Sequence, residues 1–180
     1  MFQHVILSVM LAAPLAAQTP ATQKPAAPAT KPAASATQKP APSGEKPAAA
    51  AAKGVRTIEI AGTEDMKYSL PTITAKPGEQ LRVRLTAKGA MPKIAMAHNF
   101  VLLAKAADTL KFVNAAALAR TTDFIPPEMK AQIIAHTTLA GAGETVEVTF
   151  KAPTAPGDYT YLCSFPGHFQ TQMRGTLTVK

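Results

Sequence analysis

Short segments in which apolar and polar residues alternate recur from Gly54 to the end of the chain, and they constrain the fold more than any other feature. A period of two puts the apolar side chains on one face of a strand, so each segment predicts a half-buried β-strand. Turn signals rich in Pro and Gly separate the segments. The alternating apolar positions are Ile58 and Ile60; Leu81, Val83 and Leu85; Val146, Val148 and Phe150; Tyr159, Tyr161 and Cys163; and Leu177 and Val179. The pattern predicts an all-β fold, an antiparallel β-sandwich with a Greek-key order.

One stretch between these segments departs from the alternation. Residues 105–120 are rich in Ala and Leu, and their apolar positions at helical spacing are Leu110, Val113 and Ala117. Asp108 is placed to cap the N-terminal end of a helix, and the prolines at 126–127 should prevent the helix from continuing. We therefore expect one helical insert in the sandwich.

The residues before Gly54 have a different composition. Residues 18–53 consist almost entirely of Ala, Pro, Lys, Thr, Gln and Ser, and they hold seven of the 16 prolines. Such a segment lacks the apolar side chains that offset chain entropy, so we predict a disordered, extended spacer. Its five lysines and one glutamate give it a net charge of +4, half of the total of +8. A basic nucleic-acid tail is the alternative, but the absence of Arg and aromatic residues from this segment argues against a nucleic-acid partner.

The segment ahead of the spacer has the pattern of a secretion signal. Residues 5–13 are apolar, and the small residues Ala16 and Ala17 follow, where cleavage would fall. An uncleaved anchor is the alternative interpretation. Either one exports the rest of the chain, which we expect in the periplasm, soluble or tethered to the membrane through its N-terminal segment. The predicted domains are a signal or anchor at 1–17, a spacer at 18–53 and a folded domain at 54–180.

A thiol, an imidazole and a thioether lie close together near the C-terminus, at Cys163, His168 and Met173. A turn at 166–167 would fold this loop back so that the three side chains converge, and His98 begins an apolar strand that supplies a second imidazole. Each residue alone has an ordinary structural role. Together they form the ligand set of a His₂Cys copper site with a weak axial Met. Zinc could take the same ligands, but the soft thioether favours copper.

The chain from about Val55 to Lys180 resembles the azurin and auracyanin branch of the cupredoxins, the blue copper proteins. Three motifs carry the resemblance in the same order: Ala-His-Asn-Phe-Val-Leu at 97–102, Ile-Ala-His-Thr at 134–137, and Cys-Ser-Phe-Pro-Gly-His at 163–168. The resemblance implies one type 1 copper per domain. The ligands it implies are His98, Cys163, His168 and Met173, with the Ala97 carbonyl as a weak contact.

The resemblance also implies supporting residues around the metal. The side chain of Asn99 would tie the first-histidine strand to the cysteine loop at Ser164. The amide of Phe165 would donate to the cysteine sulfur, which stabilises the reduced state and raises the potential. The spacing from His168 to Met173 is longer than in typical azurins, and Ala97 stands where azurins have Gly. These departures favour a four-coordinate site.

The function predicted from these residues is an exported carrier that shuttles single electrons between redox partners, such as cytochromes or oxidoreductases, without substrate turnover. We expect His168 near the surface, within an apolar patch of Met96, Pro166 and Phe169 where partners dock transiently.

Two other functions stay open at this point. One is a copper-binding module for copper delivery or storage. The other is a copper enzyme domain, which would need further copper ligands, whereas the residues beside the cysteine are Leu162 and Ser164. His136 is the remaining histidine of the domain, and we expect it to make a local hydrogen bond.

Overall fold

The computed structural model describes residues 54–180. The predicted signal at 1–17 and the predicted spacer at 18–53 lie outside the described residues. The elements in chain order are β1 (Val55–Gly62), β2 (Thr72–Ala75), β3 (Gln80–Ala87), β4 (Val101–Leu103), α1 (Thr109–Leu118), β5 (Ile133–His136), β6 (Thr145–Lys151), β7 (Gly157–Leu162) and β8 (Arg174–Val179), with short 3₁₀ turns at Arg120–Thr122 and Pro127–Gln132.

The strands form two sheets that pack face to face. One sheet has the order β1-β3-β6, and the other has the order β2-β8-β7-β4-β5. The predicted fold class, an all-β Greek-key sandwich with one helical insert, is confirmed. Its pairing is not purely antiparallel, because β1 runs parallel to β3 and β2 runs parallel to β8. Between β1 and β3 the chain passes through β2 in the other sheet. It can therefore re-enter the first sheet with β3 running parallel to β1.

Alternation along the strands places the core between the two sheets. In β3, Leu81, Val83 and Leu85 are fully buried, while the residues between them reach the surface. The opposite sheet contributes Leu102 and Leu177 to the same cluster. Burying a side chain of this size stabilises the fold by about 1.5–3 kcal/mol. The two sheets therefore form one scaffold with a common core.

The helical insert is shorter than the prediction, and it packs on a different face. Asp108 caps α1 as predicted, because its carboxylate accepts a hydrogen bond of 3.0 Å from the amide of Lys111. The buried residues of α1 are Phe112, Val113 and Ala116. Leu110, one of the apolar positions at helical spacing, is 65% exposed. Within residues 54–180, no helix has the length and apolar character needed to span a membrane.

The prolines at 126–127 do not end this helix. The helix ends earlier, at Leu118, and the amide of the capping residue, Ala119, donates to the carbonyl of Ala116. The prolines instead precede and begin the 3₁₀ turn at Pro127–Gln132. This turn leads into β5, so the helical insert returns to the edge of the larger sheet.

One end of the sandwich, which we call the loop end, collects the segments that carry the predicted site. The strand β1 finishes there at Gly62, opposite Ala87 of β3. The strand β7 finishes there at Leu162, which pairs with Val101 at the start of β4. The described chain enters at the other end of β1, so its beginning and the loop end lie at opposite ends of the sandwich.

Candidate metal centre

Residues 163–173, between β7 and β8, form a closed loop that we call the ligand loop. The amide of Cys163 donates to the carbonyl of Met173 at 3.1 Å, and the amide of Met173 donates to the carbonyl of His168 at 2.9 Å. The turn passes through Gly167, whose φ of +86° is accessible to a residue without a Cβ. These backbone bonds bring three of the predicted ligands onto one short, rigid loop.

His98 reaches the site from the segment just before β4. Its amide donates to the carbonyl of Ala140 at 2.9 Å, and the amide of Ala140 donates back to the carbonyl of His98 at 2.8 Å. The next residue but one, Phe100, donates its amide to the Thr137 hydroxyl at 3.0 Å and accepts from the Thr137 amide at 2.9 Å. This pairing extends the sheet beyond β4 and fixes the backbone that carries the first histidine.

Cys163, His98 and His168 converge at the loop end. Their potential ligand atoms all lie within 4.8 Å of one another. The Cys163 Sγ is 3.4 Å from Nδ1 of His168, and the centroids of the two imidazole rings are 5.0 Å apart. All three residues are at most 2% exposed. Met173 is fully buried, and its Cε and the His98 ring both lie against Gly62.

The donor groups fit a copper ion. Both ring nitrogens of His98 are buried without a hydrogen-bond partner among residues 54–180. Leaving a buried polar group without a hydrogen bond destabilises a fold by about 1–3 kcal/mol. A metal ion that accepts the lone pair of the His98 imidazole would offset this cost. Two imidazoles, a thiol and a neighbouring thioether are the donor set of a copper site with weak axial sulfur.

Burial controls the protonation of these groups. Burial, and next the adjacent His98, lowers the pKa of His168 to about 4. Burial also lowers the pKa of His98, although the nearby carboxylate of Glu64 opposes this. Both imidazoles are therefore neutral near pH 7 and keep a lone pair for a metal. Burial raises the pKa of the Cys163 thiol to about 12, so the thiolate form needs a cation beside it.

Backbone amides and one side-chain pair surround the sulfur. Asn99 donates from Nδ2 to the Ser164 hydroxyl at 2.8 Å, and its Oδ1 accepts from the Ser164 amide at 2.9 Å. The amides of Asn99 and Phe165 both hydrogen-bond to the Cys163 sulfur and oppose the effect of burial on its pKa. The sequence pointed to the Phe165 amide alone. The carbonyl of Ala97 lies 3.9 Å from the same sulfur.

The predicted docking patch needs a correction. Pro166 is exposed and Met96 is half-buried, but Phe169 is only 7% exposed. The turn that follows Gly167 directs Phe169 inward, where it packs with Val101 and the helix α1.

The surface over His168 also differs from the prediction. His168 is buried instead of near the surface, and the ring of the half-buried Phe165 lies 4.8 Å from its ring. The most exposed large apolar side chain in the segment before His98 is that of Ile94, at 82% exposure. His136 is exposed and contacts the backbone carbonyl of Thr137 at 3.2 Å, which agrees with the local role expected for it.

Two residues of the site were not identified from the sequence. A Cβ added to Gly62 would lie 2.8 Å from the His98 ring and 2.9 Å from Cε of Met173, so this position must stay small. A glycine at the end of an alternating strand was the available signal. Tyr68 donates its hydroxyl to the backbone carbonyl of Asn99 at 2.5 Å. Tyr68 lies outside the alternating segments, so the pattern gave no indication of this bond.

A buried His-Cys-His cluster with an adjacent Met, at one end of a β-sandwich, defines the blue copper class of proteins. Residues 56–180 match the family described as copper binding proteins, plastocyanin/azurin family. Azurin-1 of Alcaligenes xylosoxydans xylosoxydans is 40% identical over 124 residues, which cover 67% of this chain and 95% of that protein. Auracyanin-B of Chloroflexus aurantiacus is 37% identical over 125 residues, which cover 69% of this chain and 52% of that protein.

The solved structure of auracyanin A, a "blue" copper protein from the green thermophilic photosynthetic bacterium Chloroflexus aurantiacus, is also similar. It is 33% identical, with a TM-score of 0.62, and the match covers 71% of this chain and 100% of that chain. The chain belongs to the plastocyanin/azurin family of copper-binding proteins, which are blue copper electron-transfer proteins. The resemblance drawn from the motifs and the choice of copper as cofactor are both confirmed.

Proposed function

We propose that this protein is an exported electron carrier that holds one copper ion through His98, Cys163, His168 and Met173. The observation that carries the proposal is the convergence of the first three side chains, buried and within 4.8 Å of one another. When bound, copper takes up one electron and gives it back, alternating between Cu(II) and Cu(I). The residues of the chain supply the ligands, the rigidity and the exclusion of water.

Rigidity of the ligands supports electron transfer over other copper functions. The two oxidation states of copper prefer different geometries, so ligands that cannot move keep the rearrangement for each electron small. The ligand loop is closed by its own backbone bonds, and the Asn99–Ser164 pair locks it to the segment that carries His98. A site for copper delivery would need ligands that open easily.

The surroundings of His98 also favour a carrier without substrate turnover. Among residues 54–180, the void beside this ring is lined by groups that include Glu64, Met91 and Met96, and it has no room for a water molecule. A copper enzyme would need an open position next to its metal for the substrate. The packing at this side of the cluster argues against such a position.

Partners would dock at the surface above His168. We define the docking patch as Ile94, Leu139, Phe165 and Pro166, which replaces the patch expected from the sequence. Ile94, Leu139 and Phe165 line one open groove, which is also lined by the charged residues Lys93, Arg120 and Asp123. Pro166, which follows Phe165 in sequence, is exposed. The ring of Phe165 also contacts that of His168, so the patch lies directly over a proposed ligand. An apolar surface of this kind fits transient encounters with redox proteins.

Export and attachment are proposed from the sequence alone. The apolar run at 5–13 and the small residues Ala16 and Ala17 support a secretion signal that directs the protein to the periplasm. The uncleaved alternative would leave the domain tethered to the membrane through the Pro-rich spacer. Mass spectrometry of the N-terminus of protein recovered from the periplasmic and membrane fractions distinguishes the two.

Copper loading of the full chain tests the function. We expect one copper per chain, an intense thiolate-to-copper absorption band in the red and reversible one-electron cycling with the copper retained. Cys163→Ser should leave a folded protein without this band, because a hydroxyl cannot provide the thiolate transition. A colourless wild-type protein would contradict the proposal, and rapid transfer of copper to a chelator during cycling would favour delivery.

A further inference from the structure

Tyr68 is a buried polar residue next to the metal centre that the proposed function does not use. It follows β1 and forms an isolated bridge with Gly62, the glycine that contacts His98 and Met173. Its side chain lies in the same core cluster as Cys163. Burial raises the pKa of Tyr68 well above 10, so its hydroxyl stays protonated and can act as a donor.

The acceptor of this hydroxyl is the backbone carbonyl of Asn99, at 2.5 Å. On the side of β4 that faces β7, the pairing begins only at Val101, so the phenol takes the place of a strand partner for this carbonyl. Other groups of Asn99 face the site. Its amide bonds to the Cys163 sulfur, and its side chain makes two hydrogen bonds with Ser164. One residue thus connects the phenol to the sulfur and to the ligand loop.

We propose that Tyr68 is a positioning residue of the copper centre, which holds the Asn99 backbone so that its amide stays directed at the Cys163 sulfur. The inference rests on the proposed copper-binding function. An N–H bond to the sulfur stabilises the electron-rich thiolate of the reduced state, and hydrogen bonding around this sulfur tunes the potential of such sites. Tyr68 therefore keeps the midpoint potential higher than an unanchored Asn99 would allow.

Tyr161 provides a matched control in the same core. It is also buried, its ring centroid lies 5.5 Å from that of Tyr68, and its hydroxyl donates to a backbone carbonyl, that of Leu70. That end of the ring lies against Gly175 and the carbonyl of Pro71, and no bond links Leu70 to the sulfur. Replacing either tyrosine with Phe removes a hydroxyl from the same core. Only Tyr68→Phe removes the hydrogen bond to the carbonyl of Asn99.

The test compares full-length wild type, Tyr68→Phe and Tyr161→Phe. In Tyr68→Phe loaded with copper, we expect a lower midpoint potential, seen as a several-fold fall in the ratio of reduced to oxidised protein at a fixed ambient potential, and a shifted thiolate-to-copper band. In the metal-free protein, we expect faster hydrogen exchange at the Asn99 amide. Tyr161→Phe should lose comparable stability to unfolding but keep the wild-type potential, band and Asn99 exchange rate.

Equal shifts in both variants, or an unchanged potential in Tyr68→Phe with the blue band intact, would overturn the positioning role and leave the copper function standing. A wild type without the band would instead refute the copper function.

If Tyr68→Phe does not fold, 3-fluorotyrosine can be incorporated throughout the Tyr161→Phe protein, where it replaces Tyr68 and Tyr159 alone. The more acidic phenol is a stronger donor, so the potential should rise. An unchanged potential would again overturn the proposal.

Discussion

Because Gly62 has no side chain, the end of β1 can approach the proposed metal centre closely. The glycine faces the His98 ring and the methyl group of Met173, one group from each of the two segments that supply the proposed ligands. Any larger residue must push one of them away. The positions of the His98 ring and the Met173 methyl group therefore depend on a residue that has no side chain.

Gly62→Ala tests this dependence. The added Cβ would fall within 3 Å of both groups, closer than such contacts allow, so His98 or Met173 has to move. We expect a weakened or shifted blue band, copper affinity lower by about 10–100-fold and a stability loss of about 1–3 kcal/mol from overpacking.

Gly175→Ala is the control for overpacking at Gly62. A Cβ there would collide with the Tyr161 ring in the core, away from the His98 ring. This variant should lose stability in a denaturant titration yet keep its band. A normal band and affinity in Gly62→Ala would show that the site tolerates the displacement.

At the scale of elements, the turn between β2 and β3 is fastened to β1 by one carboxylate. Glu79 accepts hydrogen bonds from Nε of Arg56 at 2.7 Å and from the amide of Lys76 at 2.8 Å. The hydrogen bond from Arg56, followed by that from Lys76, lowers the pKa of Glu79 below its ordinary value of 4.5. The carboxylate therefore stabilises the fold only while it is ionised.

Glu79→Gln should lower the free energy of unfolding of the metal-free protein by about 0.5–1 kcal/mol at neutral pH, since the ion pair is partly exposed to solvent. A carboxyl whose pKa is lower in the folded state stabilises above its unfolded pKa, and this contribution disappears as the pH falls through the folded pKa. In urea titrations, the free energies of unfolding of wild type and variant should differ at neutral pH and become equal at acid pH.

Glu59→Gln serves as the comparison for Glu79→Gln, because the carboxylate of Glu59, which pairs with Arg84 on the sheet surface, is more exposed than that of Glu79 and should contribute less. A difference for Glu79→Gln that persists in acid would contradict the assigned role of the carboxylate.

Alternation predicted the fold class and five of the eight strands among residues 54–180 (β1, β3, β6, β7 and β8), because side-chain burial in a sandwich follows the period of the strand. The short strands β2 and β5 were not predicted. The ligand types were readable for the same local reason, since Cys163, His168 and Met173 share one loop. Strand direction was not readable, because the parallel pairing of β1 with β3 depends on where the chain crosses between sheets. Phe169 was misplaced because its burial is decided by α1, which is distant in sequence.

For the whole molecule, we expect the proposed docking patch to serve also when two copies of the protein exchange electrons with each other. Its most exposed member is Ile94, on the segment leading to His98. An exposed apolar side chain there favours close approach, whereas a carboxylate would repel a second copy carrying the same change.

Ile94→Asp should slow electron self-exchange between copies of the copper protein, measured by NMR line broadening in mixtures of reduced and oxidised protein. The midpoint potential should stay unchanged, because Ile94 is a surface residue and not a proposed ligand. Leu110→Asp is the control, since Leu110 is also exposed but lines a separate depression with Thr160 and Thr176. Equal slowing in both variants would argue against the docking patch.

The strand β1 also separates two poles of the domain. It begins at Val55 and ends at Gly62, beside the His98 ring. With a rise of about 3.3 Å per residue, these ends are roughly 23 Å apart. Anything joined ahead of Gly54, such as an engineered linker to an electrode, therefore attaches at the end of β1 opposite the proposed copper site. If the protein is immobilised through that end, we expect the loop end, with the proposed copper site, to face away from the support.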